Sequence, residues 1–328
     1  MVHMELLHHF MTFAGHVIYP AVDGQMKSVM MSIALREPFL MHSLLGLSAH
    51  HFSVVRPNQR AFYHHVAIQL QTRALSLFNS IDLGLLGDST EKRIPVFMFS
   101  GVLGFHALCD MLSHRDSDWP SAQARFVSYL RLHRGMLDVM EGHWESLRNT
   151  ELSFILSDIA PQFHTVVRGQ ECDDLRQRIR SSSLAREELE ATEKALDHLQ
   201  GVIDARPNPI SRAHVLCSWT GMIGKPFARM LETGRPEALA VLAYYFLAIH
   251  YCHELWMMGS AGEHFLTLLV DYFRLGEWAA WFEVPYRMLH ESLEKDAQTN
   301  DQSVPGNDNN STTPAVAGPS HSTRPVDQ

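Results

Sequence analysis

The sequence predicts an all-α fold, a large bundle or array of antiparallel helices with a disordered C-terminal tail, and three observations predict it. Apolar residues recur at three- and four-residue spacing along most of the chain, no segment alternates like a strand, and one run is apolar on every side. That run, residues 238–249 (ALAVLAYYFLAI), has neither a charge nor a polar face. A helix of this kind belongs in a protein core or in a membrane. Crossing a bilayer takes about 20 apolar residues. Here His250, His253 and Glu254 interrupt the run too soon, so a buried central helix and no membrane span are expected.

From the N-terminus, Leu6, Phe10, Phe13 and Val17 share one helical face, and Met26, Met30 and Ile33 repeat the pattern after the break at Pro20. Glu37-Pro38 opens a third helix that carries Phe39, Leu40, Leu44, Leu47 and Phe52 as far as Pro57. Phe62, Val66, Leu70, Ala74, Leu77 and Ile81 trace a fourth, ended by Gly84 and Gly87. Residues 94–112 and 122–140 are two further apolar helices, separated by a polar turn that closes on Trp119-Pro120. Residues 168–190 turn charged and serine-rich, a seam between two halves in which Arg176, Arg178 and Arg180 read as a solvated helix face. Helices resume over 187–202 and 209–222, with a short one from Pro226.

The central helix begins at Pro236, where a first-turn proline is tolerated, and Glu237 meets the positive end of the helix dipole. Gly259 supplies a left-handed stop, and Ser260 with Glu263 has capping-box spacing. Phe265, Leu266, Leu269, Val270 and Phe273 stripe the next helix, so a tight hairpin closed by Trp278, Trp281 and Phe282 is expected. A last helix over 286–293 leads into a tail rich in Ser, Thr, Asn, Asp, Pro and Gly, which has too little apolar surface to order itself. The expected organisation is a helical domain over 1–295 and a disordered tail over 296–328.

At 328 residues and 46% hydrophobic the chain can bury a sizeable core. Its formal net charge of -9 argues against the counterion-displacing surface of a nucleic-acid binder. Cys109, Cys172, Cys217 and Cys252 match no metal spacing and read as reduced thiols. Without signal-peptide features at the start, the sequons at Asn309 and Asn310 are expected to stay unglycosylated.

The 21 histidines invite a metal proposal, yet adjacent pairs such as His8-His9, His50-His51 and His64-His65 point about 100° apart on a helix. Only His250 and His253 share a face, two ligands where zinc needs three or four. Gly46-Leu47-Ser48-Ala49-His50 lacks the second glycine and the strand-to-helix turn of a nucleophile elbow. Asp173-Asp174 lacks the third acid of a magnesium-diphosphate site, since Gln177 stands there, and no GxGxxG or P-loop occurs. No catalytic residue, cofactor or metal is expected, and the chain reads as a non-enzyme.

The run from Glu37 to His51, EPFLMHSLLGLSAHH, resembles a segment of the fungal-specific transcription factor domain, the regulatory region C-terminal to a binuclear zinc cluster. Further echoes are Tyr63, Ala67 and Ala74-Leu75, the run LRLHRG at 130–135, and RPEALAVLAY at 235–244. The closing Trp256, Gly259, Gly262, Trp278, Trp281 and Pro285 are similar to the domain end of regulators like the sterol uptake control proteins. The resemblance covers residues 1–293. It implies a nuclear transcriptional regulator, shuttling with the cytoplasm, that controls sterol uptake or biosynthesis or a metabolite gene cluster. Family members carry six zinc-binding cysteines upstream, and none is found here, so direct DNA binding by this chain is not expected. Its implied partners are a sterol or other hydrophobic small molecule, the transcription machinery or a DNA-binding regulator, and a second copy in a homodimer. The ligand pocket the resemblance implies would be lined by Leu242, Tyr245, Phe246, Ile249, Trp256, Met257, Phe265 and Leu269. An all-α terpenoid-type enzyme and a scaffold protein are the alternatives.

Overall fold

A computed structural model describes residues 1–13, 24–82, 89–138, 150, 153, 169–204, 216–217 and 219–302, and among them all regular structure is helical. The chain groups into two compact units, Met1–Leu289 and His290–Gln328. The described part of the second unit is the C-terminal portion of the last helix.

In the first unit, α1 (Val2–Phe13) buries Leu6, His9 and Phe10, and α2 (Gly24–Ala34) buries Met26, Met30 and Ile33. Both pack on α3 (Pro38–Val55), which starts with its proline in the first turn, as the sequence predicts. Every residue of α3 from Ser43 to Ser53 is buried. The reason is its neighbours: α1, α2, α4 (Arg60–Asn79) and α5 (Thr90–Ser113) all pack against it. On α4 the buried positions are Tyr63, Val66, Ala67, Leu70 and Ala74, while Phe62, assigned to the core from its spacing, is 54% exposed. The true stripe is rotated by one residue at its start, where Tyr63 can keep its hydroxyl on Glu5 and Arg56. Helix α5 is long and apolar enough to cross a membrane, but most of it is buried inside the protein, against α2, α3 and α6 (Trp119–Asp138). It is a core helix.

Asp118 caps α6 by accepting a hydrogen bond from the Ser121 amide at 2.9 Å. Helix α7 (Asp173–Arg180) lies within the charged 168–190 stretch and buries Leu175 and Ile179. Its arginines are paired: Arg176 with Asp197, Arg178 with Asp174 and Arg180 with Glu193. In α8 (Arg186–Asp204) the Glu188 carboxylate reaches back to the Ala185 amide at 3.2 Å, one half of a capping box. Residues 219–222 are helical, and α9 (Lys225–Glu232) follows.

Helix α10 (Pro236–His250) is buried from Glu237 to His250 and pairs with α11 (Ala261–Phe273). Pro236 occupies the first turn, and the buried Glu237 is held by Arg235 at 3.2 Å beside the positive helix end. Three expectations about this hairpin are corrected. The helix stops at His250 rather than at Gly259, because a chain of turns bonded three residues apart takes over from Cys252 to Met258. Gly259 does take the left-handed conformation, φ +44°, but at the end of those turns. Ser260 holds the N-cap position of α11 without a side-chain capping bond; its hydroxyl instead accepts from Arg115 at 3.3 Å. Trp278 and Trp281 are half-buried and lie against each other, whereas Phe282 is buried and stacks on Phe273 at 4.6 Å. The tryptophans that fill the core are Trp119 and Trp219, from outside the hairpin.

Helix α12 (Glu283–Gln302) continues past the expected end at residue 293. The remainder of the expected tail, with Asn309 and Asn310, lies outside the described residues, as do Val17, Gly84, Gly87, Met140 and residues 205–215.

Candidate functional site

Tyr245 and Phe246 of α10 are fully buried among other aromatic rings. Tyr245 stacks on Trp219 at 4.5 Å and Phe246 on Phe265 of α11 at 5.2 Å; Phe126 of α6 meets both, and Trp119 meets Phe246 edge-on. Such contacts add about 0.5–1.5 kcal/mol per pair beyond area burial. Of the eight residues proposed as a pocket lining, Leu242, Tyr245, Phe246, Ile249, Met257, Phe265 and Leu269 are buried. Trp256 is set apart: half-buried, it faces the rings of His50 and His51 on α3, at 5.7 and 4.9 Å. Burial pushes the Tyr245 phenol well above its ordinary pKa, and its hydroxyl donates to the Leu216 carbonyl at 3.5 Å.

The segments that carry the family resemblance make contacts between helices. In the 130–135 run, Arg131 pairs with Glu232 of α9, His133 shares the Thr220 hydroxyl with Tyr129, and Arg134 donates to the Ile223 carbonyl. Burial holds His133 neutral, at a pKa of about 4. Arg235 braces Glu237 and reaches Glu188 of α8.

Sequence reasoning missed a cleft of about 280 Å³ between α3, α4, α5 and α6. Its apolar walls include Ala67, Ile68, Leu75, Leu103 and Leu132, and its polar groups are His50, His64, Gln71, Thr72, His106 and Asp110. The His50 and His106 rings lie 5.1 Å apart. Burial depresses both, His50 to a pKa of about 4 and His106 to about 3, so both are neutral at physiological pH. Gln71 Oε1 accepts from His106 Nδ1 at 3.1 Å and from the Ser43 hydroxyl at 3.5 Å, leaving Gln71 Nε2 buried without a partner. A signal was present in the chain: His64 and Gln71, and His106 and Asp110, recur at helical spacing on otherwise apolar faces.

The rejected motifs fall where their chemistry fails. Ser48 is buried in the middle of α3, and the Asp174 carboxylate is engaged by Arg178. His250 and His253 stack on each other at 5.6 Å, with His253 Nδ1 on the His250 carbonyl. Among the described residues no three His, Cys, Asp or Glu side chains are placed to hold a metal ion, and the four cysteines are free thiols.

No protein-family model matches the chain. No solved structure matches it. It is similar to a Zn(2)-C6 fungal-type transcription factor of Gibberella zeae, 20% identical over an alignment of 309 positions that covers 88% of this chain and 62% of that relative. The chain therefore spans less than two thirds of the relative's length, and what this similarity establishes is a relationship to a fungal transcription factor.

Proposed function

We propose that the chain is a regulatory, ligand-sensing domain of a fungal transcription factor, acting in the nucleus through protein partners rather than by catalysis. The observation that carries this reading is the similarity to a transcription factor across 88% of the chain, because it extends over most of the chain instead of being confined to one short motif. The mechanism is a population shift between two packings of the helical domain. A hydrophobic metabolite, a sterol or a molecule of similar character, biases that equilibrium only by its difference in affinity for the two packings. Partner contacts read the outcome, with the transcription machinery, a DNA-binding regulator or a second copy as the partner. The regulated genes are those of sterol uptake or biosynthesis, or of a metabolite cluster.

The test is a fusion of residues 1–302 to a foreign DNA-binding domain, assayed on a reporter in a fungal host with and without sterol depletion. Reporter output that changes several-fold on depletion is expected. Output equal to that of the DNA-binding domain alone under both conditions, from a fusion shown to be present and helical, overturns the reading.

A further inference from the structure

We infer that the cleft between α3, α4, α5 and α6 is a binding site for a compact, largely apolar molecule bearing a hydroxyl group, which His50 and His106 hold between them. The site is distinct from the aromatic wall around α10 and does not depend on the regulatory reading. Its volume of about 280 Å³ is at the lower limit of small-molecule pockets, about 300 Å³. That limits the occupant to a small body or to one end of a longer one. Ile68 and Leu132, 52% and 43% exposed, form an apolar rim through which such an end would enter.

The polar chemistry selects a hydroxyl. A neutral imidazole carries one N–H and one bare lone pair. In His106 the N–H is committed through Nδ1 to Gln71 Oε1, so Nε2 is an acceptor, and among the described residues nothing donates to it. The His50 ring, 4% exposed, makes no hydrogen bond among the described residues and is held only by ring contacts with His106 and Trp256. It is free to donate. With ring centroids 5.1 Å apart, one hydroxyl can donate to His106 and accept from His50. A carboxylate would face Asp110 on the same wall and His106 through a lone pair, so anions are disfavoured. The unpartnered Gln71 Nε2 beside the pair is a second buried donor that an occupant would satisfy after a small rotation of the carboxamide.

The experiment measures binding of 2-naphthalenemethanol, of 2-ethylnaphthalene, in which a methyl group replaces the hydroxyl, and of 2-naphthoate to the full chain, by ligand-observed NMR and naphthalene fluorescence. About tenfold tighter binding of the alcohol than of the hydrocarbon is expected, with the anion weakest. In His106→Phe the alcohol should lose that preference while the hydrocarbon still binds. Ala107→Trp should block both, and so should Thr72→Trp, which sits on the exposed rim of α4 and keeps the test alive if the first variant does not fold. Equal binding of alcohol and hydrocarbon by the unaltered chain, no binding of either, or binding that survives a folded rim variant overturns the proposal.

Discussion

Arg56 joins three helices through one side chain. Its guanidinium donates to Glu5 Oε1 on α1 and to the Tyr63 hydroxyl on α4, both at 2.7 Å, while lying 3.6 Å above the Phe52 ring. The pair with Glu5 is more than a third exposed on both sides, so the ion pair alone contributes no more than about 1 kcal/mol. The stacking on Phe52 adds roughly 0.5–1 kcal/mol. Arg56→Ala should therefore lower stability by about 1–2 kcal/mol in urea denaturation, and Glu5→Gln by less than about 1 kcal/mol. An equal loss for the two variants would assign the whole effect to the ion pair. At this scale the sequence identified which residues are apolar but not which of them are enclosed. Trp119 and Trp219 are buried while Trp278 and Trp281 are only half-buried. What separates them is long-range: Trp219 stacks on Tyr245 and donates to the Ala195 carbonyl at 2.9 Å, contacts set by residues 24 or more positions away.

Helix starts were legible because their determinants are local. Pro38 and Pro236 both occupy the first turn of the helix they were expected to open. Helix ends were less so: α10 stops at His250, where α11 packs close against its last turn. That approach depends on Gly262. A Cβ there would run into the His250 backbone nitrogen and the Phe246 carbonyl oxygen, backbone atoms that cannot swing aside. Gly262→Ala should separate α10 from α11 and cost about 3 kcal/mol, read as a lowered urea midpoint. Gly259→Ala, where an added Cβ meets open space and only the positive φ is strained, should cost about 1–2 kcal/mol. A ranking in the opposite order would show that backbone conformation, not helix contact, limits this turn. The cleft between α3, α4, α5 and α6 was hard to read for the same reason as the buried tryptophans: its imidazoles come from three helices, and the helical spacing of His64 with Gln71 and of His106 with Asp110 marks each face without saying which faces meet.

For the whole molecule, burial depresses His9, His50, His51 and His133 to a pKa of about 4 and His106 to about 3, against an ordinary value of 6.5. The fold holds these rings neutral, so in the interval between the two values the unfolded chain binds more protons. Their contribution is full above pH 6.5 and is lost as pH falls from 6.5 towards 4. Asp116, held below its ordinary 3.8 by its hydrogen bond from Arg125, loses its contribution only at lower pH. The first decline in stability should therefore fall between pH 6.5 and 4 and reach at least about 3 kcal/mol, seen as a falling urea midpoint. A flat midpoint down to pH 4.5 would contradict the neutral burial of this set. The all-α class and the buried centre at residues 238–249 were readable from apolar spacing alone. The shared role of α3 as a second buried axis was not, because its full enclosure arises from four neighbouring helices.

The four free thiols give the protein an internal clock. Cys109, Cys172 and Cys252 are buried, and burial pushes the Cys109 and Cys172 thiols well above their ordinary pKa and Cys217 up to about 12. Almost no thiolate forms at Cys109 or Cys172 in the closed fold at neutral pH, so at these two a disulfide reagent must wait for the helices over them to part. Labelling followed residue by residue should therefore report opening rates, with Cys109 of α5 and Cys172 before α7 timing different regions of the fold without any engineered probe. Any change that loosens one region would be seen as a change in the tempo of its thiol relative to the others.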